Sequence, residues 1–134
     1  MLNEGLNAVK DYRKLLNTGK VREINKWISD DFIGYFGYYE DREYEVYHGE
    51  QYRLDNIETF KMYEEKKPSW VYNDLTHSLR EENELILSSI VDFYFSEQKV
   101  ASALAVEVFR KENSGWKLFR QHMEKYGLLQ QESK

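Results

Sequence analysis

Residues 100–122, VASALAVEVFRKENSGWKLFRQH, form two runs in which apolar side chains alternate with others, separated by the polar turn ENSG. Alternation with a period of two is typical of a β-strand whose two faces meet different surroundings. A short polar segment that contains glycine joins such runs in antiparallel hairpins. The stretch therefore predicts a hairpin close to the end of the chain.

Two further runs of the same kind precede this hairpin. Residues 70–79 and 84–95 are strand-like, and short polar segments at 80–83 and 96–99 separate the runs. Consecutive strands joined by short turns usually pair with their neighbours. The second half of the chain therefore predicts a meander of four antiparallel strands.

The first half of the chain has helical spacing instead. Apolar side chains recur near a 3.6-residue period over residues 2–17, and a second, shorter helix capped by Thr18 is predicted to end at residues 29–31. The aromatic-rich segment 32–49 predicts a hairpin that forms one wall of the fold. A third helix over residues 51–65 is predicted to bury a stripe made of Leu54, Ile57, Phe60 and Tyr63.

The composition predicts one domain over residues 1–134, with an ordered core at about 2–127 and a tail at 128–134. Lys and Arg number 19 against 24 Asp and Glu, without a basic run, which disfavours a nucleic-acid partner. No run approaches the roughly 18 consecutive apolar residues of a membrane span. Because the chain has no cysteine, it forms neither disulfides nor zinc-thiolate sites, and we expect a cytoplasmic protein.

Motifs for metals and cofactors are missing from the sequence. His48, His77 and His122 lie far apart and form neither HxH nor HExxH spacing, so we expect no metal site. The chain also has no glycine-rich phosphate loop and no nucleophile elbow, so we expect neither a dinucleotide cofactor nor serine-hydrolase chemistry.

The closing hairpin supplies the first candidate site. Counting outward from the ENSG turn pairs Phe109 with Leu118, Glu107 with Arg120, and Ala105 with His122. Alanines on this face leave room for a cavity. In a functional interpretation, Arg120 fixes an anionic or carbonyl group while Glu107 or His122 moves a proton. In a structural interpretation, Glu107 and Arg120 form an ion pair and His122 only packs.

Two other places add candidates to this cavity. Tyr12, on the first helix, either points its hydroxyl into the cavity or packs in the core with its hydroxyl at the rim. Strand alternation assigns Asp92 and Tyr94 to the same mixed face as Glu107, so they are further ligand-binding candidates.

The other face of the sheet is smoothly apolar. Alternation assigns to it Leu85, Leu87, Val91, Leu104, Val106 and Val108. Three helices can cover one side of the sheet, so this face needs another partner. Because obligate dimer interfaces are large and apolar, we predict a homodimer that packs sheet to sheet.

Three local stretches carry a resemblance to a known family: YRKLLNTG at residues 12–19, DDF at 30–32, and GWKLFRQH at 115–122. With the order of the elements, they resemble the nuclear transport factor 2-like superfamily, including its SnoaL-like branch. The resemblance implies an α+β fold in which a cone-shaped, curved antiparallel sheet wraps around three helices, usually as a dimer with a pocket inside. Members include isomerases, dehydratases, polyketide cyclases and non-enzymatic association domains, so the fold leaves the function open.

Ketosteroid isomerase gives a test at single residues. The resemblance places its hydrogen-bonding tyrosine on Tyr12, its catalytic carboxylate near Phe36 and its second carboxylic acid near Ala103. Because two of the three roles are empty, we do not expect that isomerase chemistry. Three hypotheses stay open: a protein that binds a small, partly apolar ligand, an isomerase, dehydratase or cyclase that uses the candidate residues, and a dimerisation module whose cone is filled.

Overall fold

The computed structural model describes residues 1–40 and 42–126, and the tail predicted at 128–134 lies outside them. Within these residues the elements follow the predicted order, and no helix is long and apolar enough to cross a membrane. The elements are α1 (Leu2–Leu16), α2 (Val21–Asn25), β1 (Ile28–Tyr38), β2 (Glu45–His48), α3 (Gly49–Tyr63), a 3₁₀ turn (Glu64–Lys66), β3 (Pro68–Arg80), β4 (Glu84–Phe95), β5 (Gln98–Glu112) and β6 (Gly115–Tyr126).

The strands of the described residues form one six-stranded curved sheet with the order β2-β1-β6-β5-β4-β3. The predicted meander of β3 to β6 and the predicted hairpin of β1 and β2 are confirmed, and both pair antiparallel. β1 and β6 pair in parallel, so the two halves of the chain meet inside the sheet. The predicted α+β cone is thereby confirmed.

Helix α1 packs against the inner face of the sheet and forms the main core. It buries Val9, Tyr12 and Leu16, in keeping with the predicted helical spacing. Gly5 lets the helix approach closely, because a Cβ atom there would lie 3.1 Å from the Leu85 side chain. Each large apolar side chain buried in this way stabilises the fold by about 1.5–3 kcal/mol. The rest of the core cluster consists of Ala8, Ile24, Ile28, Phe32, Leu87, Phe109, Trp116 and Leu118.

Helix α2 is shorter than predicted. It ends at Asn25, and β1 begins at Ile28, because the Trp27 carbonyl already accepts a hydrogen bond of 2.7 Å from the Leu118 amide. Thr18 also differs from the prediction. Its hydroxyl donates to the Leu15 carbonyl at 2.6 Å, so Thr18 ends α1 rather than capping α2.

Helix α3 turns a different face inward than predicted. Leu54 and Ile57, half of the predicted stripe, are exposed. Arg53 explains the orientation, because its guanidinium donates to the Ile28 carbonyl at 2.6 Å and fixes the helix on β1. This anchor leaves the neighbouring Tyr52 facing the interior of the cone.

The register between β5 and β6 follows the prediction near the turn and departs from it further along. The pairs are Lys111–Trp116 and Phe109–Leu118, then Val108–Arg120, Glu107–Gln121 and Val106–His122. The predicted pairing of Glu107 with Arg120 is therefore wrong. Phe119 is an extra residue that forms a β-bulge, and one extra residue moves every later side chain of the strand to the opposite face.

The pairing of β4 with β5 also corrects the predicted faces. Leu87 pairs with Glu107, so the face that carries Leu87 turns toward the helices rather than away from them. Val106 pairs with Ser88 on the outer face. The predicted apolar set is therefore divided between the two faces. Two strands that both alternate can pair in registers that differ by one residue, and the choice of register decides which side chains share a face.

Candidate functional site

A cavity of about 440 Å³ lies between the inner face of the sheet and helices α1 and α3. Volumes of this size are typical of sites for small molecules. Much of its wall is flat and aromatic, because the Trp70 ring stacks on Phe60 and Phe93 with centroids 5.5 and 4.9 Å apart. Tyr38 and Tyr126, both partly exposed, line its open end. The cavity therefore combines an apolar interior with access to solvent.

The three positions that the resemblance assigns to the functional residues of ketosteroid isomerase lie in the wall of this cavity. Tyr12, Phe36 and Ala103 all line it. A phenylalanine and an alanine cannot supply the two carboxylates, so the described wall lacks both acids at those positions.

Polar groups cross the floor of the cavity as a chain of three side chains. The Tyr52 hydroxyl donates to Gln121 Oε1 at 3.0 Å, and Gln121 Nε2 donates to Glu107 Oε2 at 2.6 Å. Tyr52 and Gln121 line the cavity, whereas Glu107 lies behind them and is 2% exposed. We call these residues the Tyr52–Gln121–Glu107 chain.

Burial controls the ionisation of this region. It raises the pKa of Glu107, and the hydrogen bond from Gln121 opposes it only in part. Burial also raises the pKa of Tyr12, Tyr52 and Tyr72, and the nearby Glu107 carboxylate adds to each shift. The three phenols therefore stay protonated and can act as hydrogen-bond donors.

Two of these phenols have no acceptor among residues 1–40 and 42–126. Tyr12 and Tyr72 line the cavity, and neither hydroxyl donates a hydrogen bond to a described side chain or carbonyl. Tyr12 is 2% exposed and packs its ring on Trp27 and Phe109 at 5.5 and 5.6 Å. Tyr12 is therefore a core residue that also lines the cavity.

An ion pair supports the Tyr72 side of the floor. The Arg13 guanidinium lies 2.9 Å from Asp74 and 4.2 Å from the Tyr72 ring centroid, a cation–π contact. Burial by itself raises the pKa of Asp74, but hydrogen bonds from Arg13 and Ser89 outweigh it, so the pKa is lowered. The pair holds the Tyr72 ring in place against the cavity.

The bulge at Phe119 puts Arg120 and His122 on the outer face of the sheet, away from the cavity. Arg120 donates to the Asp31 carbonyl at 2.8 Å, and its guanidinium stacks on Phe119. His122 Nε2 lies 3.5 Å from Glu124 Oε2. The structure therefore separates the predicted trio, with Glu107 on the inner face and its two expected partners outside.

Asp92 and Tyr94 also lie on the outer face, since they alternate along β4 with Val91, Phe93 and Phe95, which line the cavity. Asp92 accepts a hydrogen bond of 2.6 Å from the Ser102 hydroxyl. Neither Asp92 nor Tyr94 lines the cavity. The prediction that they share a face with Glu107 is wrong, because the β4 residue that pairs with Glu107 is Leu87, which lies on the opposite face from Asp92 and Tyr94. Of the six candidate residues, Tyr12 lines the cavity and Glu107 reaches it through Gln121.

Sequence reasoning missed Tyr52, Tyr72 and Gln121. Tyr72 follows Trp70 by two positions, so strand alternation could have placed both on the inner face. Tyr52 could not be found from the helical stripe, because α3 is oriented by polar anchors. Gln121 could not be found without the bulge. Among the described residues, no cluster of His, Asp and Glu could hold a metal ion.

Comparisons with known proteins support the fold. A scan of protein-family models and a search of curated proteins both gave no match. Solved structures do match. A nuclear transport factor 2-like protein of unknown function from Pseudomonas putida superimposes with a TM-score of 0.69 at 9% identity, over 91% of this chain and 84% of that one.

Two further matches have names that point to enzymes. A putative scytalone dehydratase from Novosphingobium aromaticivorans gives a TM-score of 0.68 at 13% identity, over 92% of this chain and 83% of that one. A ketosteroid isomerase-like protein from Erwinia carotovora atroseptica gives 0.62 at 16% identity, over 89% and 91%.

The fold thus defines an α+β cone with an internal cavity. More specifically, this chain has the nuclear transport factor 2-like fold, which confirms the resemblance found in the sequence at the level of the fold. Identities below 25% carry no function from these neighbours to this chain.

Proposed function

We propose that the protein binds a small, partly apolar molecule that carries at least one hydrogen-bonding oxygen. The observation that carries this proposal is the floor of the cavity, where the Tyr12 and Tyr72 hydroxyls have no acceptor among the described residues. Both residues line the cavity, and neither hydroxyl is among the buried unpartnered atoms of the described residues, so a ligand oxygen in the cavity can accept from them in place of water. The stacked rings of Trp70 and Phe93 offer a flat apolar surface for the rest of the molecule.

Native mass spectrometry of the gently purified protein tests this proposal, because a retained molecule adds its mass to the chain. Ala103→Phe places a ring inside the cavity and is expected to abolish the added mass. Ser78→Phe, on the exposed part of β3, places the same ring outside and is expected to retain it. Circular dichroism checks that both variants fold. Equal occupancy in the two variants would contradict a site in this cavity.

A second candidate function is an enzyme of the isomerase or dehydratase type. It is supported by the protonated Tyr12 and Tyr72 hydroxyls, which could stabilise negative charge that develops on a substrate oxygen. Glu107 would then act through Gln121 rather than by touching the substrate. Once a ligand is identified, Tyr12→Phe should lower its turnover more than its binding, whereas His122→Gln, outside the cavity, should change neither. The same loss in both variants would argue against this role for Tyr12.

A dimerisation module with a filled cone is the least favoured of the three hypotheses, because the cavity volume argues against a filled interior. Self-association is nevertheless compatible with ligand binding. We propose a homodimer through the outer face of the sheet, where Ile86, Ile90, Leu104 and Val106 form a partly exposed apolar surface. A second copy of the same face is the partner that would cover it.

A further inference from the structure

The Tyr52–Gln121–Glu107 chain connects a buried carboxyl group to the wall of the cavity. The Tyr52 ring is held between two phenylalanines, with centroids 4.6 Å from Phe32 and 5.6 Å from Phe36. Gln121 is 5% exposed and Glu107 is 2% exposed. The three side chains therefore have little freedom to change partners. If the direction of one hydrogen bond in the chain reverses, the direction of the next one must reverse as well.

The amide of Gln121 gives this chain a direction. Its nitrogen can only donate and its oxygen can only accept. When Glu107 is a carboxylate it can only accept, so Gln121 turns its nitrogen toward Glu107 and its oxygen toward Tyr52. The Tyr52 hydroxyl must then use its single proton on Gln121. Toward the cavity, Tyr52 is left with lone pairs and acts as an acceptor.

A proton on Glu107 reverses every bond in the chain. The carboxylic acid O–H needs an acceptor, which the Gln121 oxygen supplies after the amide turns over by half a rotation. The amide nitrogen then donates to the Tyr52 oxygen, and the Tyr52 proton becomes free to point into the cavity. The positions of the heavy atoms are nearly unchanged, because the oxygen and nitrogen of an amide are almost equal in size.

We propose that Glu107 is a positioning residue whose protonation sets, through the amide of Gln121, whether Tyr52 accepts a hydrogen bond from a bound molecule or donates one to it. This inference rests on the proposed function, since it concerns a ligand in the same cavity. It assigns Glu107 a role in selectivity without contact between Glu107 and the ligand.

The charged and titratable groups around Glu107 belong to three elements. Arg13 and Tyr12 face it from α1, Tyr52 from α3, and Asp74 and Tyr72 from β3. The ion pair of Arg13 with Asp74 places opposite charges side by side, so the pair's net effect on Glu107 is smaller than that of an isolated arginine. Burial raises the pKa of Glu107 and so brings the protonated form closer to neutral pH.

The chemical class of the ligand follows from the two protonation states of Glu107. In the carboxylate state, the floor offers two donors, Tyr12 and Tyr72, and one acceptor, Tyr52. This set fits a flat molecule with an acceptor oxygen and a hydroxyl, such as a phenol or an enol. In the protonated state all three tyrosines can donate, and the set fits a molecule with acceptor oxygens alone, such as a ketone or an aryl ether.

The first test needs no ligand. The protein is labelled with ¹⁵N and ¹³C, and NMR follows Glu107 Cδ and Gln121 Nε2 as the pH is lowered. The Gln121 amide resonance is expected to shift with the same midpoint as Glu107, and Glu107→Gln should abolish that shift. The inference is overturned by a Gln121 resonance that stays constant while Glu107 titrates, or by a Glu107 that does not titrate while the protein stays folded.

The second test compares two probes, 2-naphthol and 2-methoxynaphthalene, which differ in whether their oxygen carries a proton. At a pH where Glu107 is ionised, the wild type is expected to prefer 2-naphthol by about three- to tenfold, the value of one hydrogen bond, and to lose this preference as Glu107 is protonated. Tyr52→Phe should remove the pH dependence of the preference but keep the Gln121 shift. A preference that does not change with pH in the wild type overturns the inference. Failure of both probes to bind contradicts the proposed function, and the NMR titration then decides the inference by itself.

Discussion

Gln121 Nε2 lies 2.6 Å from Glu107 Oε2, and both side chains are almost completely buried. These two residues face each other because Phe119 bulges out of β6 two residues before Gln121. The contact joins the core of the cone to the cavity. Its role can be tested through the unfolding free energy and the Gln121 amide resonance.

The first prediction concerns pH and stability. The pKa of Glu107 is higher in the folded state than its ordinary value of 4.5, so its stabilising contribution is full below that value and is lost as the pH rises through the folded pKa. The free energy of unfolding by urea should therefore decline in the wild type as the pH rises from 4.5 through the folded-state pKa of Glu107. Glu107→Gln should flatten the decline. Glu58→Gln, exposed on α3, should keep it, and a decline that is equal in all three proteins would contradict the role given to burial.

The second prediction concerns the hydrogen bond itself. Gln121→Leu leaves Glu107 buried without its donor, which should cost about 1–3 kcal/mol of unfolding free energy at neutral pH. Replacing Glu107 by leucine as well removes the buried group that lacked a partner. The double variant should therefore be more stable than Gln121→Leu alone, as urea titration would reveal. Additive losses would mean that the two residues act independently.

The third prediction concerns the approach of α3 to β1. A Cβ atom on Gly49 would lie 2.8 Å from the Ser29 carbonyl oxygen, so Gly49→Ala should cost about 1–3 kcal/mol and shift the start of α3. Because α3 carries Tyr52, the Gln121 amide resonance should move as well. Gly19→Ala is the matched control. Its φ of +78° also makes alanine strained, but no atom lies within 4 Å, so stability should fall while the Gln121 resonance stays in place.

The fourth prediction concerns self-association. Light scattering at micromolar concentration should give about twice the chain mass of 16.2 kDa for the wild type. Leu104→Lys puts a charge on the outer face of the sheet and should give the mass of one chain. Leu54→Lys, on the exposed side of α3, should leave the larger mass unchanged. A wild type that is a stable monomer would contradict the proposed dimer.

The aromatic segment 32–49 shows how far local pattern extends into the site. It was predicted to form one wall of the fold, and Phe36 and Tyr38 do line the cavity. Alternation along a single strand is enough to separate its inner and outer rings. The segment alone could not reveal that Tyr52 packs against Phe32 and Phe36, because that contact depends on how α3 returns to the strand.

The sequence by itself determined the order of helices and strands and the antiparallel meander, because the periods of 3.6 and two residues are properties of the local chain. The α+β cone followed from the family resemblance that the sequence carries. Only the tertiary structure decided which residues meet inside the cone. One bulged residue, Phe119, replaces Arg120 by Gln121 as the partner of Glu107 and sends His122 outside. The physical reason is the two-residue period of a strand: a single added residue costs little locally, yet it exchanges the two faces for all that follows.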